Sequence, residues 1–118
     1  MSDDVPEELR LKDQGRTLEV RYTGGERFRL TAEYLRVESP SAEVKGHAPG
    51  DGITVPGKRN VRIARLEPVG HYAVRIIFDD GHSTGLYTWQ YLRKLGEENE
   101  VRWNGYLAKL GEKGLGRD

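Results

Sequence analysis

One stretch of the chain, residues 78–92, constrains the fold more than any other. An apolar strand ends at Phe78 and leads into Asp80-Gly81, a dipeptide favoured in two-residue type I′ hairpin loops because both positions need positive φ. His82 follows at the tip of this hairpin, and a short second strand comes after it. Thr88 then stands where a helix N-cap is expected, before an amphipathic segment with three large apolar residues on one face. The run therefore predicts a β-hairpin that feeds directly into a helix.

The first half of the chain follows the same order. Apolar residues alternate with charged ones over residues 18–22, and Gly24-Gly25 predicts a hairpin loop before a return strand. Thr31 is the expected N-cap of a short helix that ends near Val37. Further strands are predicted over residues 61–68 and 72–78. A last helix over about residues 98–110 is expected to bury its large apolar side chains, Val101, Trp103, Tyr106, Leu107 and Leu110.

These elements indicate an α+β domain, with a small antiparallel β-sheet, short helices after hairpins and a C-terminal helix. A chain of 118 residues has room for one hydrophobic core. We expect a flexible N-terminal arm over residues 1–15, the folded domain over residues 16–111 and a flexible tail over residues 112–118. Residues 39–60 are rich in glycine and proline and show no periodicity, which predicts a long loop of the kind that is often functional.

Composition excludes several classes of function. The 19 basic and 19 acidic residues balance, so no overall field favours nucleic acid or an anionic membrane. The chain has no cysteine, which excludes disulfides, thiol catalysis and cysteine-ligated metals. No apolar stretch approaches the ~18 residues of a membrane-spanning helix, and the N-terminus is acidic, unlike a secretory signal. We expect a cytoplasmic protein that binds neither nucleic acid nor membranes.

Residues 52–58 match the G-x-x-x-x-G-K pattern of a phosphate-binding loop, but the surrounding residues do not suit that function. Pro56 removes one of the backbone N–H groups that would contact phosphate, and Arg59 replaces the Ser or Thr that would bind magnesium. A strand, not a helix, is predicted to follow. A glycine-rich surface loop is the better interpretation.

Two other groups of residues suggest a binding role. A metal site could be formed by His82 with His47 or Glu43 from the long loop, because histidine and carboxylate ligands suit several metals. The alternative is that His82 forms hydrogen bonds within its own hairpin. A second group consists of four cations that could bind an acidic partner, but alternation along a strand would divide them between two faces. These are Lys58, Arg59, Arg62 and Arg65.

Four segments together resemble a known family, the N-terminal domain of gamma-butyrobetaine hydroxylases, and within it the small stand-alone bacterial members. The most specific is the Asp-Gly-His-x-x-Gly-x-Tyr run that starts at Asp80. The loop around residues 39–47 and the later 57–59 resemble the stand-alone subgroup. The four segments are residues 18–20, 32–37, 69–74 and 79–87, and the likeness extends over about residues 16–111.

The resemblance implies a structural zinc site in the hydroxylases, with three cysteines after a Leu-Arg pair and one histidine before the short strand. Aligned on Leu35-Arg36, the cysteine positions of this chain hold Ser39, Ser41 and Val44, and the histidine position holds His82. Hydroxyl and isopropyl groups do not replace thiolates around zinc. The resemblance also implies a separate catalytic barrel, for which 118 residues have no room. We therefore expect no zinc at this position and no hydroxylase activity. His82 would be the one retained, vestigial ligand position.

Our interpretation is a non-catalytic binding or accessory module that acts through protein contacts and uses no cofactor. The candidate binding surface comprises Glu43, His47, Lys58, Arg59 and His82. One alternative is a metal-binding protein or minor enzyme that uses His82, His47 and Glu43. Another is a subunit that associates with a separate oxygenase, which the fusion in the hydroxylases suggests by analogy.

Overall fold

The structure, a computed structural model, describes residues 5–41 and 54–118. Within these residues the chain forms two three-stranded antiparallel sheets and three α-helices. The strands are β1 (Pro6–Lys12), β2 (Thr17–Tyr22), β3 (Arg27–Thr31), β4 (Ile63–Val69), β5 (Ala73–Phe78) and β6 (Leu86–Thr88), and the helices are α1 (Ala32–Val37), α2 (Trp89–Glu97) and α3 (Asn99–Glu112). The predicted α+β class is confirmed, although the strands form two sheets instead of one.

The first sheet has the order β1-β2-β3, with β2 in the centre. Its alternating apolar residues Leu18, Val20 and Tyr22 are fully buried, as the sequence pattern predicts. The prediction of a flexible arm over residues 1–15 is wrong for Pro6–Lys12, because this segment pairs along β2 as an edge strand. Its charged residues obscure the alternation that would have identified it.

The second sheet has the order β4-β5-β6, so β5 is central as predicted. The hairpin after β5 has a three-residue loop, since the Phe78 N–H donates to His82 O and the Gly81 N–H donates to Phe78 O. Gly81 has a φ of 93°, while Asp80 is not among the residues with positive φ. The predicted two-residue type I′ loop is therefore wrong. The geometry is that of a turn closed by a left-handed glycine.

Side-chain caps define where α1 and α2 begin. Thr31 Oγ1 accepts from the Tyr34 N–H and Thr88 Oγ1 accepts from the Tyr91 N–H, each at 3.1 Å, so both predicted N-caps are confirmed. The prediction for α3 is only partly correct. Val101 is 77% exposed and Leu107 is 38% exposed, because α3 lies at the surface and buries a narrower face than expected.

The core lies where both sheets meet α1 and α2. Its largest fully buried residues come from β2, β3, α1, β5, β6 and α2, and include Tyr22, Leu30, Leu35, Ile76, Tyr87 and Leu92. A smaller cluster, formed by Val37, Tyr106 and Leu110, packs against Val55 in the second half of the long loop. None of the helices among the described residues is long and apolar enough to cross a membrane.

The expected flexible tail over residues 112–118 is also wrong for its last residues. The Gly57 N–H donates to Gly116 O and the Arg59 N–H donates to Arg117 O. Arg117 additionally forms two hydrogen bonds with the buried Glu33. No local periodicity signals these contacts, because they join residues that are far apart in the sequence.

Candidate functional site

Two irregular segments, residues 39–41 after α1 and residues 82–85 before β6, lie against each other, and we call this contact the 39/82 junction. Ser39 Oγ lies 2.9 Å from His82 Nε2, and Ser41 Oγ lies 2.7 Å from Thr84 Oγ1. Ser39 is fully buried, while Ser41 and His82 are each 8% exposed. The junction is thus an internal polar contact that connects α1 to the second sheet.

Neighbouring residues fix the position of the junction. The hydroxyl of Tyr87 in β6 donates a hydrogen bond to Leu35 O, and the hydroxyl of Tyr91 in α2 donates one to Glu38 O, both at 2.5 Å. Burial raises the pKa of the Tyr87 phenol, so it remains a donor across the physiological range. A Cβ atom at Gly85 would lie 2.5 Å from Ser39 Oγ, so glycine allows the two segments to approach this closely.

The residues at the junction do not suit the zinc that the family resemblance implies. The structure brings Ser39 and His82 together, as the alignment on Leu35-Arg36 requires, but their contact is a hydrogen bond between a neutral hydroxyl and a ring nitrogen. Zinc needs thiolate, imidazole or carboxylate ligands in a tetrahedral set. Among residues 5–41 and 54–118, no group of three or more His, Cys, Asp or Glu residues could hold a metal ion. Val44 lies outside the described residues.

The hairpin loop beside the junction carries a charge cluster centred on Asp80. Its Oδ2 accepts from Arg36 Nε at 2.8 Å and Lys58 Nζ at 2.7 Å, and its Oδ1 accepts from the His82 N–H at 3.0 Å. Partial burial would raise the pKa of Asp80, but the hydrogen bonds from Lys58, His82 and Arg36 outweigh it and lower the pKa to about 2. Asp80 therefore ties α1, the end of the long loop and the hairpin together.

The candidate binding residues predicted from the sequence do not form one open surface among the described residues. His82 is buried, Lys58 is paired with Asp80, and Arg59 Nε lies 2.5 Å from Asp118 Oδ1. Glu43 and His47 lie outside the described residues, so their predicted approach to His82 stays a prediction. The remaining cations of the basic group also have partners, since Arg62 donates to Gln14 and Arg65 to Glu67.

A groove on the outward face of the second sheet was not predicted from the sequence. In this sheet Arg65 pairs with Ile77, while Arg75 lies between Glu67 on β4 and Leu86 on β6. These five side chains share the face opposite the core. With Gly81, Ser83 and Thr84 they line a concavity of about 540 Å³, which we call the outer groove. The signal was present in β5, where Ile77 alternates with the core-facing residues.

Comparisons with known proteins agree with this architecture. The chain is similar to two proteins with solution NMR structures, each 44% identical, with TM-scores of 0.83 and 0.82. These matches cover 97% and 99% of this chain, and 90% and 89% of the two similar chains, respectively. A protein of unknown function from Acidithiobacillus ferrooxidans, a member of the DUF971 family, is 42% identical to this chain in sequence. Its crystal structure matches this chain with a TM-score of 0.66. That match covers 80% of this chain and 94% of the other.

No curated protein matches the chain. The family model described as "Gamma-butyrobetaine hydroxylase-like, N-terminal" matches residues 9–93, a range that includes both sheets from within β1 to β6 and the 39/82 junction. The match agrees with the resemblance found in the Asp-Gly-His-x-x-Gly-x-Tyr run. The chain therefore belongs to the gamma-butyrobetaine hydroxylase-like N-terminal family.

Proposed function

We propose that the protein is a non-catalytic binding module, and that its outer groove receives an extended, acidic segment of a partner protein. One observation carries the proposal. On the outward face of the second sheet, the half-buried Ile77 and Leu86 form an apolar floor next to the exposed guanidinium groups of Arg65 and Arg75. An extended segment that carries both acidic and apolar side chains on the side facing the sheet matches this arrangement.

The charges of the outer groove favour an acidic partner. Glu67 Oε2 lies 3.0 Å from Arg65 Nε, and Glu67 Oε1 lies 3.7 Å from Arg75 Nη1, so one carboxylate faces two guanidinium groups. All three side chains are at least 40% exposed, and ion pairs at such exposure contribute little stability. Either arginine can therefore exchange Glu67 for a carboxylate of a partner at small cost.

The position of Ser41, in the long loop, also supports a binding role for the outer groove. Thr84, which lines the outer groove, forms a hydrogen bond with Ser41, the last described residue before residues 42–53. Ser41, within the long loop predicted from the sequence to be functional, thus lies beside the groove. Glu43 and His47 remain candidates for the same surface on sequence grounds.

The buried junction supports a non-catalytic role. A serine hydroxyl next to a histidine nitrogen is the pair used in nucleophilic catalysis, but such a serine must reach a substrate. Ser39 is fully buried, and its hydroxyl also accepts from the Ser41 N–H at 3.3 Å. The pair is better explained as a structural contact. We also propose that the protein acts in the cytoplasm, in line with its balanced, highly charged composition.

The test uses quantitative binding to a defined probe and to a captured partner. The probe is a synthetic peptide that repeats Glu-Ser-Val-Ser, which places glutamate and valine on the same side of an extended chain, titrated into ¹⁵N-labelled protein. We expect shifts at β4, β5 and β6, and an affinity that falls at least about tenfold in the Arg75→Glu variant. Arg27→Glu is the matched control, because Arg27 is an exposed arginine on the other sheet.

A partner captured from the native host is then measured against the same variants, with Ile77→Lys as a second change to the groove. Loss of binding in both groove variants and retention in the control supports the proposal, and mass spectrometry shows whether the partner is an oxygenase. Equal binding of probe and partner by the wild-type and both groove variants would overturn it.

A further inference from the structure

Residues 114–118, which we call the strap, lie along residues 57–59 like an added strand. The Gly57 N–H donates to Gly116 O at 3.0 Å, and the Arg59 N–H donates to Arg117 O at 2.9 Å. An ion pair between Asp118 and Arg59 extends this contact. Backbone pairing of this kind accepts many sequences, so it selects an extended shape more than particular side chains.

Specificity comes from the side chain of Arg117. Its Nε and Nη2 donate to the two carboxylate oxygens of Glu33 at 2.8 and 2.7 Å. The Glu33 side chain is only 7% exposed, and the Arg117 guanidinium carbon lies 5.3 Å from the centre of the Trp103 ring. A paired, charge-assisted contact with a nearby aromatic ring suits arginine and does not suit lysine.

Apart from its backbone hydrogen bonds and the exposed ion pair of Asp118, the strap contributes little other than this arginine. Leu115 is 40% exposed, and Gly114 and Gly116 have no side chain to bury. The buried carboxylate of Glu33, by contrast, requires a cation, and this cation can belong to the same chain or to another polypeptide. Glu33, Trp103 and the backbone of residues 57–59 therefore form a receptor for arginine, which we call the arginine site.

We propose that the arginine site binds an extended, arginine-bearing segment of another polypeptide, and that the strap is its intramolecular competitor. A tethered segment acts at an effective concentration that is commonly millimolar, so the strap keeps the site closed to weak ligands. A segment of another polypeptide must therefore bind tightly enough to displace the strap. The proposal is independent of the outer groove, which lies on a different face and favours acidic partners.

The experiment weakens the strap and supplies its sequence in trans. The probe is the synthetic peptide Gly-Leu-Gly-Arg-Asp, the sequence of residues 114–118, titrated into ¹⁵N-labelled Arg117→Ala protein. We expect saturable shifts at the amides of residues 57–59 and at the Trp103 indole. Binding should weaken about tenfold when the peptide carries lysine instead of arginine, and to a similar extent when Glu33→Gln is added to the protein.

Wild-type protein should bind the peptide more weakly than the Arg117→Ala variant, because its own strap competes. If Arg117→Ala does not fold, Arg117→Lys provides the weakened strap. Absence of saturable binding by a folded variant, or equal binding of the lysine peptide, would overturn the proposal.

Light scattering of the wild-type protein distinguishes the sources of the segment. A dimer that Glu33→Gln dissociates would assign the segment to a second copy of this chain. A monomeric wild-type protein would exclude a second copy of this chain as the source of the segment.

Discussion

Ser39 Oγ and His82 Nε2 lie 2.9 Å apart in the interior of the protein, although 43 residues separate them in the sequence. The contact fixes the end of α1 against the connection between β5 and β6. Ser39 and His82 are two of the positions at which the family resemblance implies zinc ligands, and here a hydrogen bond joins them. The stability of this part of the fold should therefore depend on hydroxyl and imidazole groups.

Replacing Ser39 with alanine should destabilise the fold by about 1–3 kcal/mol, because it removes a buried hydrogen-bond partner of His82. Chemical denaturation measures the loss. Ser83→Ala, a nearby change at a residue that is only half-buried, should alter the free energy of unfolding by less than about 0.5 kcal/mol. Equal stability of Ser39→Ala and wild-type protein would show that the junction is not a stabilising contact.

Untagged protein should contain no stoichiometric zinc, because Ser39 and Ser41 present hydroxyls where thiolates would be needed. Elemental analysis after purification without added metal is the measurement. A variant with Ser39→Cys, Ser41→Cys and Val44→Cys should acquire zinc, since it combines three thiolates with His82 in the order that the family resemblance implies. One tightly held zinc per wild-type chain would contradict this prediction.

Replacing Gly81 with valine should destabilise the fold by at least about 1 kcal/mol, because a β-branched residue is strongly disfavoured at a φ of 93°. A Cβ atom at Gly81 would meet nothing within 4 Å, so backbone strain is the expected cause. Gly105→Val is the matched control, since its Cβ atom would also meet nothing but its backbone is helical. Thermal melting should show a lower Tm for Gly81→Val alone.

Asp80 should stabilise the protein above about pH 4 and lose this effect in acid. Its pKa is about 2 in the folded protein and near 3.8 when unperturbed, so the folded state favours the ionised carboxylate. The stabilisation is complete above the unfolded pKa and is lost as the pH falls through the folded pKa. Asp80→Asn should therefore be clearly less stable than wild-type at neutral pH, and the difference should shrink toward pH 2. A constant difference across that range would mean that ionisation of Asp80 is not involved.

Much of the fold followed from local sequence patterns. The alternation of Leu18, Val20 and Tyr22 predicted a half-buried strand, and the threonines at positions 31 and 88 predicted where two helices begin. Such signals act within a few residues, because strand alternation and helix capping depend on neighbouring side chains. The local signal at Asp80-Gly81 predicted the wrong loop, because the loop length depends on how β5 pairs with the chain that returns from it.

The sequence by itself determined the class of fold, the hairpins and caps, and, through the family resemblance, the relation between Ser39 and His82. Only the tertiary structure decided that Pro6–Lys12 is a strand, that Arg65 and Arg75 share an open face, and that Arg117 reaches Glu33 across 84 residues. The physical reason is that an edge strand, a shared sheet face and a buried ion pair depend on partners brought together by packing. No periodicity within one segment of the chain encodes them.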